Sequence, residues 1–223
     1  YKPCVRNTQC TSLCHSYDPV DQAILIIHLG AMGSVVRSTA LLRKIKKENP
    51  RSYIVWLTEK PSHQLLQNHP AIDRVFEFSF ESVLSLKAFQ FETVYALDKD
   101  IKTAGLLPML NYQNLKGFAA NPVTGAVTPV DSDAEELWSL GLSNQKKFFE
   151  NKKSEIQLLF ETCGMDFNRE KYWLHLTDSE RYEVSQRRAQ WLGTKTLLIG
   201  INTGCGNVIS YKKMSLESQV LLI

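Results

Sequence analysis

The sequence has no apolar run approaching the roughly 18 residues that a membrane-crossing helix needs. Its longest runs, residues 23–29 and 196–201, are strand length. A basic-then-apolar leader of the secretory kind is missing from the N-terminus. Charge of one sign is also scarce: the formal net charge is +3, too little to suggest a partner with a polyanionic backbone, so no nucleic acid is expected. There is no initiator methionine, Tyr1 standing first, and residues 217–223 form an apolar, helix-like stretch with no stop signal. Truncation at both ends is the expectation.

Cysteine is sparse and unevenly placed. Of five, three crowd the start as Cys4, Cys10 and Cys14. An odd total without an export signal argues against a disulfide framework. Three closely spaced thiols suit zinc or an iron–sulfur cluster, with His15 adjacent but no evident fourth ligand; an unliganded lead segment is the plain alternative. Cys163, at helical spacing in an apolar stretch, reads as core. Cys205 lies in a glycine-rich loop, where its small size is explanation enough.

What is there is the composition of a soluble α/β protein, 43% hydrophobic and 22% charged. Basic residues cluster at Arg37, Arg43, Lys44, Lys46, Lys47 and Arg51, against Glu48 alone. The cluster is either a solvated helix face or a patch for anionic lipid or a phosphorylated acceptor.

The pattern becomes regular after Tyr17-Asp18-Pro19. Residues 23–29 (AILIIHL) form a continuous apolar run, the signature of a strand buried on both faces of a parallel sheet. A tight turn over Gly30 to Gly33 follows, with Ser34 expected to cap one helix running to Asn49-Pro50. Strands are predicted at 53–57, 73–78, 93–97 and 115–119, and helices at 63–68, 82–89 and 103–110. Residues 121–132 read as a hairpin or lid, and 153–163 and 179–192 as helices. Residues 196–202 (TLLIGIN) repeat the opening grammar as a buried strand, a Gly204–Gly206 turn and a helix start near Ser215. The alternation is that of a doubly wound parallel sheet. Ligands of such sheets bind outside the carboxyl ends of the strands, which singles out residues 30–34, 58–63 and 98–102. The expected organisation is a Cys-rich lead over 1–20, a Rossmann-like domain over 21–178, and over 179–223 a linker helix and the start of a second such domain.

Two segments resemble glycosyltransferase family 9, the ADP-heptose:lipopolysaccharide heptosyltransferases. One is ILIIHLGAMGSVVRSTALLRKIKKENP followed by YIVWLTEKPSHQLLQNHPAIDRVFEF; it is similar to the family's strand, Leu-Gly-x-x-Gly-Asp turn, helix, "xxWLT" strand and "NPxIDxV" turn. The other, IGINTGCGNVISYKKMS, is similar to the start of the family's nucleotide-sugar domain. The Cys-rich lead also looks like one in a subset of heptosyltransferase-like proteins. The resemblance implies a GT-B architecture, with acceptor on the first Rossmann-like domain and donor on the second. It implies metal-independent, inverting transfer of a heptose or related sugar from an ADP-sugar to a lipopolysaccharide core or lipid A-type acceptor. The setting implied is the cytoplasm, with peripheral contact at the inner face of the inner membrane. As a fragment the chain is expected to be inactive.

Inverting transfer needs a base at the acceptor hydroxyl and positive or dipolar groups at the leaving diphosphate. In the family the base is the Asp closing Leu-Gly-x-x-Gly-Asp, and here that position is Ser34. A hydroxyl is a far weaker proton acceptor than a carboxylate, so Ser34 is left to cap the helix or bind an acceptor hydroxyl. Replacement bases on the same rim are Asp98, ranked first, then Asp100, Glu59 and His28. Each has a plain reading: Asp98 as a cap for the next helix, Glu59 as a surface partner of Lys60, His28 as a packed core histidine. Gly30 and Gly33, with Glu59 and Lys60, are the acceptor-side candidates. Thr203, Gly204, Lys212 and Lys213 are the donor-phosphate candidates, Lys212 matching the family's diphosphate lysine. Three competitors remain, one treating the Cys-rich lead as a metal-dependent interaction module. A catalytically degenerate binding protein fits Ser34. A nucleotide-cofactor oxidoreductase fits a strand–GxxG–helix, but LGAMGS lacks the full G-x-G-x-x-G and Glu59 lies too far downstream.

Overall fold

The computed structural model describes residues 4, 15, 17–202 and 214–222. Its centre is a six-stranded sheet of β1 (Gln22–Ile27), β2 (Ser52–Thr58), β3 (Arg74–Glu77), β4 (Gln90–Ala96), β5 (Asn111–Ala120) and β6 (Val127–Pro129), in the order β3-β2-β1-β4-β5-β6. The first five strands are parallel, and β6 returns antiparallel on β5. The helices of this part are α1 (Met32–Ser38), α2 (Leu41–Glu48), α3 (Ser62–Leu66), α4 (Phe80–Leu86), α5 (Ile101–Leu106), α6 (Glu135–Leu142) and α7 (Glu155–Thr162). This is the expected Rossmann-like α/β sheet.

The continuous apolar run explains why β1 is central. Successive side chains of a strand point to opposite faces, so a strand covered on both sides must be apolar throughout. Ile24 and Ile26 pack on one face with Ile54, Trp56 and the inner stripes of α1, α2 and α7. Leu25 and Ile27 pack on the other with Val55, Phe91, Val94, and Leu86 and Leu106 of α4 and α5. Each fully buried aliphatic side chain contributes about 1.5–3 kcal/mol. Cys163 lies in the first of these clusters, as expected of a core cysteine, and burial raises its thiol pKa.

The single helix expected after the first turn is two. Ser38 and Thr39 hydroxyls donate back to the carbonyls of Val35 (2.8 Å) and Val36 (2.6 Å), and the backbone tightens to i→i−3 bonds at Thr39 and Ala40. Hydroxyls that return to the preceding turn interrupt a helix in this way. Thr39 Oγ1 also accepts the Trp173 N–H at 2.8 Å. Trp173 is held further by His69 Nε2 on its carbonyl (2.9 Å) and by the Arg43 guanidinium over its ring (4.3 Å), which straps this segment onto Thr39, α2 and the loop after α3.

The basic cluster of 37–51 is largely neutralised. Arg37 pairs with Glu155, Lys44 with Glu48, Lys46 with Asp73, and Arg51 with Asp18 and Asp21. Four of the six basic residues thus have acidic partners, while Arg43 lies over Trp173 and Lys47 is exposed. At the lead segment, Cys4 is buried, bridges to Pro19, and its sulfur accepts the Asp18 N–H at 3.3 Å. Cys10 and Cys14 lie outside the described residues.

Contacts divide the chain into Tyr1–Leu176 and Thr177–Ile223. The second unit holds α8 (Asp178–Leu192), opened by a capping box between Thr177 and Glu180, and α9 (Leu216–Val220), capped by Ser215. The strand expected at 196–202 is not formed: these residues are coil, with Leu197 71% and Ile199 73% exposed. A strand exists through its neighbours, and among the described residues of this unit none is supplied. No described helix is long and apolar enough to cross a membrane.

Candidate functional site

In the observed strand order, the crossovers from β1 and from β4 leave in opposite directions. The crevice between their carboxyl ends is where doubly wound sheets bind ligands. The residues there are His28, Leu29, Gly30 and Ala31 after β1, and Leu97, Asp98 and Lys99 after β4.

Asp98 organises this rim. Its Oδ2 accepts the Leu29 N–H (2.5 Å) and the Thr103 hydroxyl (3.3 Å), and its Oδ1 accepts the Gly30 N–H (2.9 Å). A buried carboxylate held by two backbone amides and a hydroxyl is well compensated. It fixes the turn between β1 and α1 from 68 residues away in sequence. Gly30 is required by this contact, since a Cβ there would stand 2.8 Å from Asp98 Oδ1. Asp98 therefore does not cap the next helix; Asp100 does, accepting the Lys102 N–H at 2.6 Å.

His28 lies beside this carboxylate, buried. Its Nδ1 is 2.8 Å from Ser38 Oγ. That hydroxyl has already donated its proton to Val35, so toward His28 it can only accept, and the imidazole proton is assigned to Nδ1. The Nε2 lone pair then faces Asp98 Oδ1 at 3.8 Å, beyond hydrogen-bond reach. Burial lowers the pKa of His28; Asp98 and Glu155 pull the other way and Arg37 adds to the lowering. Two acceptors, 3.8 Å apart, thus line the same recess. Such an arrangement suits a ligand hydroxyl, whose one proton can be given to either. If the proton moves to Nε2, the resulting imidazolium has a carboxylate beside it.

Two recesses flank the Leu29–Ala31 turn. One, of about 500 Å³, is lined by His28, Gly30, Ser34, Asp98, Lys99 and, from the far wall, Lys147, Phe148, Asn151 and Glu155. The other, of about 340 Å³, is lined by Gly30, Ala31, Glu59, Lys60, Asp98, Asp100 and Lys102. The rim residues singled out in the sequence are thus brought together, but in two chambers with Asp98 between.

Several local expectations change. Helix α1 begins at Met32 with Ala31 at its N-cap and no side-chain cap, so Ser34 caps nothing. It sits in the first turn, where its Oγ accepts from Arg37 Nη2 at 3.2 Å. Gly33 is also inside the helix rather than in the turn, and a Cβ there would meet only the Arg37 guanidinium at 3.4 Å. Glu59 pairs with Lys102 at 2.6 Å, not with Lys60, which pairs with Glu77 at 3.2 Å. The Glu59 contact raises the Lys102 pKa.

Sequence reasoning missed the far wall. Lys99, whose pKa burial lowers, donates to the Leu137 carbonyl at 2.8 Å. Glu155 reaches Arg37 at 2.7 Å. The wall that Lys99 and Arg37 bind is built from α6, α7 and the segment between them, which no rim motif marked; the clue was the cluster of lysines and phenylalanines at 146–153. Thr203, Gly204, Lys212 and Lys213 lie outside the described residues.

No family model matches the sequence. A lipopolysaccharide heptosyltransferase 1 of Campylobacter coli is 24% identical over 226 aligned positions, covering 85% of this chain and 66% of that protein. A glycosyltransferase family 9 structure from Veillonella parvula superposes with a TM-score of 0.66 at 16% identity, over 90% of this chain and 58% of that one. The chain is heptosyltransferase-like in sequence and has the fold of family 9, and it spans 66% of the curated relative's length.

Proposed function

We propose that this heptosyltransferase-like chain carries the acceptor half of a glycosyltransferase. The reaction is transfer of a heptose or related sugar from an ADP-sugar to a lipopolysaccharide core or lipid A-type acceptor. The cytoplasmic side of the inner membrane, where both substrates would meet, is the setting. The observation that carries the reading is that His28 Nε2 and Asp98 Oδ1, 3.8 Å apart, line one recess at the switch point of the sheet.

In this reading the acceptor occupies the larger recess, with its attacking hydroxyl against His28 and Asp98. Asp98 orients that hydroxyl and stabilises the charge that follows; neutral His28 takes the proton at Nε2 as the new glycosidic bond forms. Ser34 hydrogen-bonds a neighbouring acceptor hydroxyl, and Glu59 and Lys60 bound the second chamber. Thr203, Gly204, Lys212 and Lys213 meet the leaving diphosphate, and no metal is needed for the transfer.

Radiolabelled sugar transfer to a core-deficient lipopolysaccharide acceptor, with the full-length protein, tests this. Turnover that falls at least about a hundredfold in His28→Gln is expected; no turnover and no calorimetric binding of ADP or ADP-heptose would overturn it. A second reading is favoured by one observation, the serine at position 34 tied to Arg37: a degenerate, binding-only relative. Donor binding without turnover, with turnover restored by Ser34→Asp, would select that reading. For the cysteine lead, metal content after anaerobic purification tests the zinc or iron–sulfur expectation; substoichiometric amounts of both reject it.

A further inference from the structure

The end of α6 and the chain between α6 and α7 leave three large apolar side chains in solvent. Leu142 is 68%, Phe148 66% and Phe149 69% exposed. The two phenylalanines stand on a π-helical turn, Lys146–Glu150, closed by the Asn151 N–H on the Lys146 carbonyl at 2.8 Å. Such turns are rare and recur at functional sites. The base is anchored, since Lys153 is bound by Glu136 and by Glu161. The tip is not neutralised in the same way. Lys146, Lys147 and Lys152 are exposed and have no ion pair among the described residues, and Glu150 is the one acid between them. Lys147 Nζ lies 5.3 Å from the Phe148 ring centre. In the larger basic cluster at 37–51, by contrast, four of six residues are in ion pairs.

Adjacent exposed aromatics bracketed by unpaired lysines match an anionic bilayer surface. The rings enter the headgroup boundary, and the lysines reach the phosphates along their own stems. What favours a headgroup layer over a protein partner is the positive charge around the two rings, which lipid phosphates complement. We propose that the 142–152 loop docks this chain on the headgroup layer of an anionic membrane. Lys147 and Phe148 also line the recess that holds His28 and Asp98. Docking would therefore bring the mouth of that recess to headgroup height, within reach of a lipid-linked acceptor. That consequence rests on the transferase reading; the docking itself does not.

Co-sedimentation with vesicles of phosphatidylethanolamine and phosphatidylglycerol, against phosphatidylcholine alone, tests it. Neither vesicle contains a glycolipid, so the result is independent of the transfer assay. The chain is expected to pellet with the anionic vesicles at near-physiological salt. Phe148→Ser with Phe149→Ser should weaken partitioning at least about tenfold. Lys146→Gln, Lys147→Gln and Lys152→Gln should each weaken it about fivefold and together remove its salt dependence. All five positions are exposed, and an unchanged thermal midpoint confirms folding. Absence of binding to anionic vesicles, or binding that neither set of changes alters, overturns the proposal. So does a dimer in sedimentation velocity that the phenylalanine changes dissolve, which would assign the loop to a second copy of the chain.

Discussion

Asp98 and Gly30 are a matched pair, and each constrains the other. Asp98→Asn keeps the shape but replaces one acceptor oxygen with a donor that faces an N–H group. We expect a loss of about 2–4 kcal/mol in urea denaturation. Because Asp98 holds the His28 pKa up against burial, the same change should lower that pKa further, read by imidazole NMR titration. A pKa that rises instead would mean the carboxylate is not the neighbour felt by Nε2. Gly117 is a second fixed point. Its φ is +103°, and a Cβ would lie 2.0 Å from the Ala96 carbonyl oxygen. Gly117→Ala should cost about 3 kcal/mol or more, since both the conformation and the space forbid it. Neither contact is visible in the sequence, because both are made by residues at or just after the end of β4.

Among the elements, β1 was legible because burial on both faces demands an unbroken apolar run, and its length left no room for a helix. The α1–α2 break was not, since Ser38 and Thr39 reveal their back-bonding only once Trp173 and His28 are beside them. The strap at Trp173 carries a pH dependence. Burial lowers the His69 pKa to about 4, against the pull of its bond to the Trp173 carbonyl, with His175 and Arg43 adding to the lowering. A folded pKa below the unfolded 6.5 means the unfolded chain binds more protons, so stability is full above pH 6.5 and is lost toward pH 4. After allowing for solvent screening the loss is about 1–2 kcal/mol. His69→Gln should flatten thermal midpoints across that interval; an unchanged slope would exclude His69 as the source. For α8, Thr177→Ala removes one half of the capping box and should cost the helix about 1 kcal/mol, seen as lost far-UV ellipticity.

For the whole molecule, the doubly wound sheet and the rim followed from the alternation of apolar runs with helix-length segments. The far wall of the larger recess did not, because α6 and α7 return to the rim by tertiary packing that no local spacing encodes. Both core clusters are drawn from residues before 177. A protein ending at Leu176 should therefore keep its thermal midpoint within about 3 °C, and a larger drop by calorimetry would show that the second unit supports the first. The strand order has a consequence for synthesis. Strand β1 leaves the ribosome first of the six, yet its second edge is completed only by β4. At ribosomal speeds of roughly 5–20 residues per second, Ile24 to Ile27 wait on the order of ten seconds for that partner. During this interval a wholly apolar stretch of the nascent chain has an open flank, which makes it the natural client site for a chaperone.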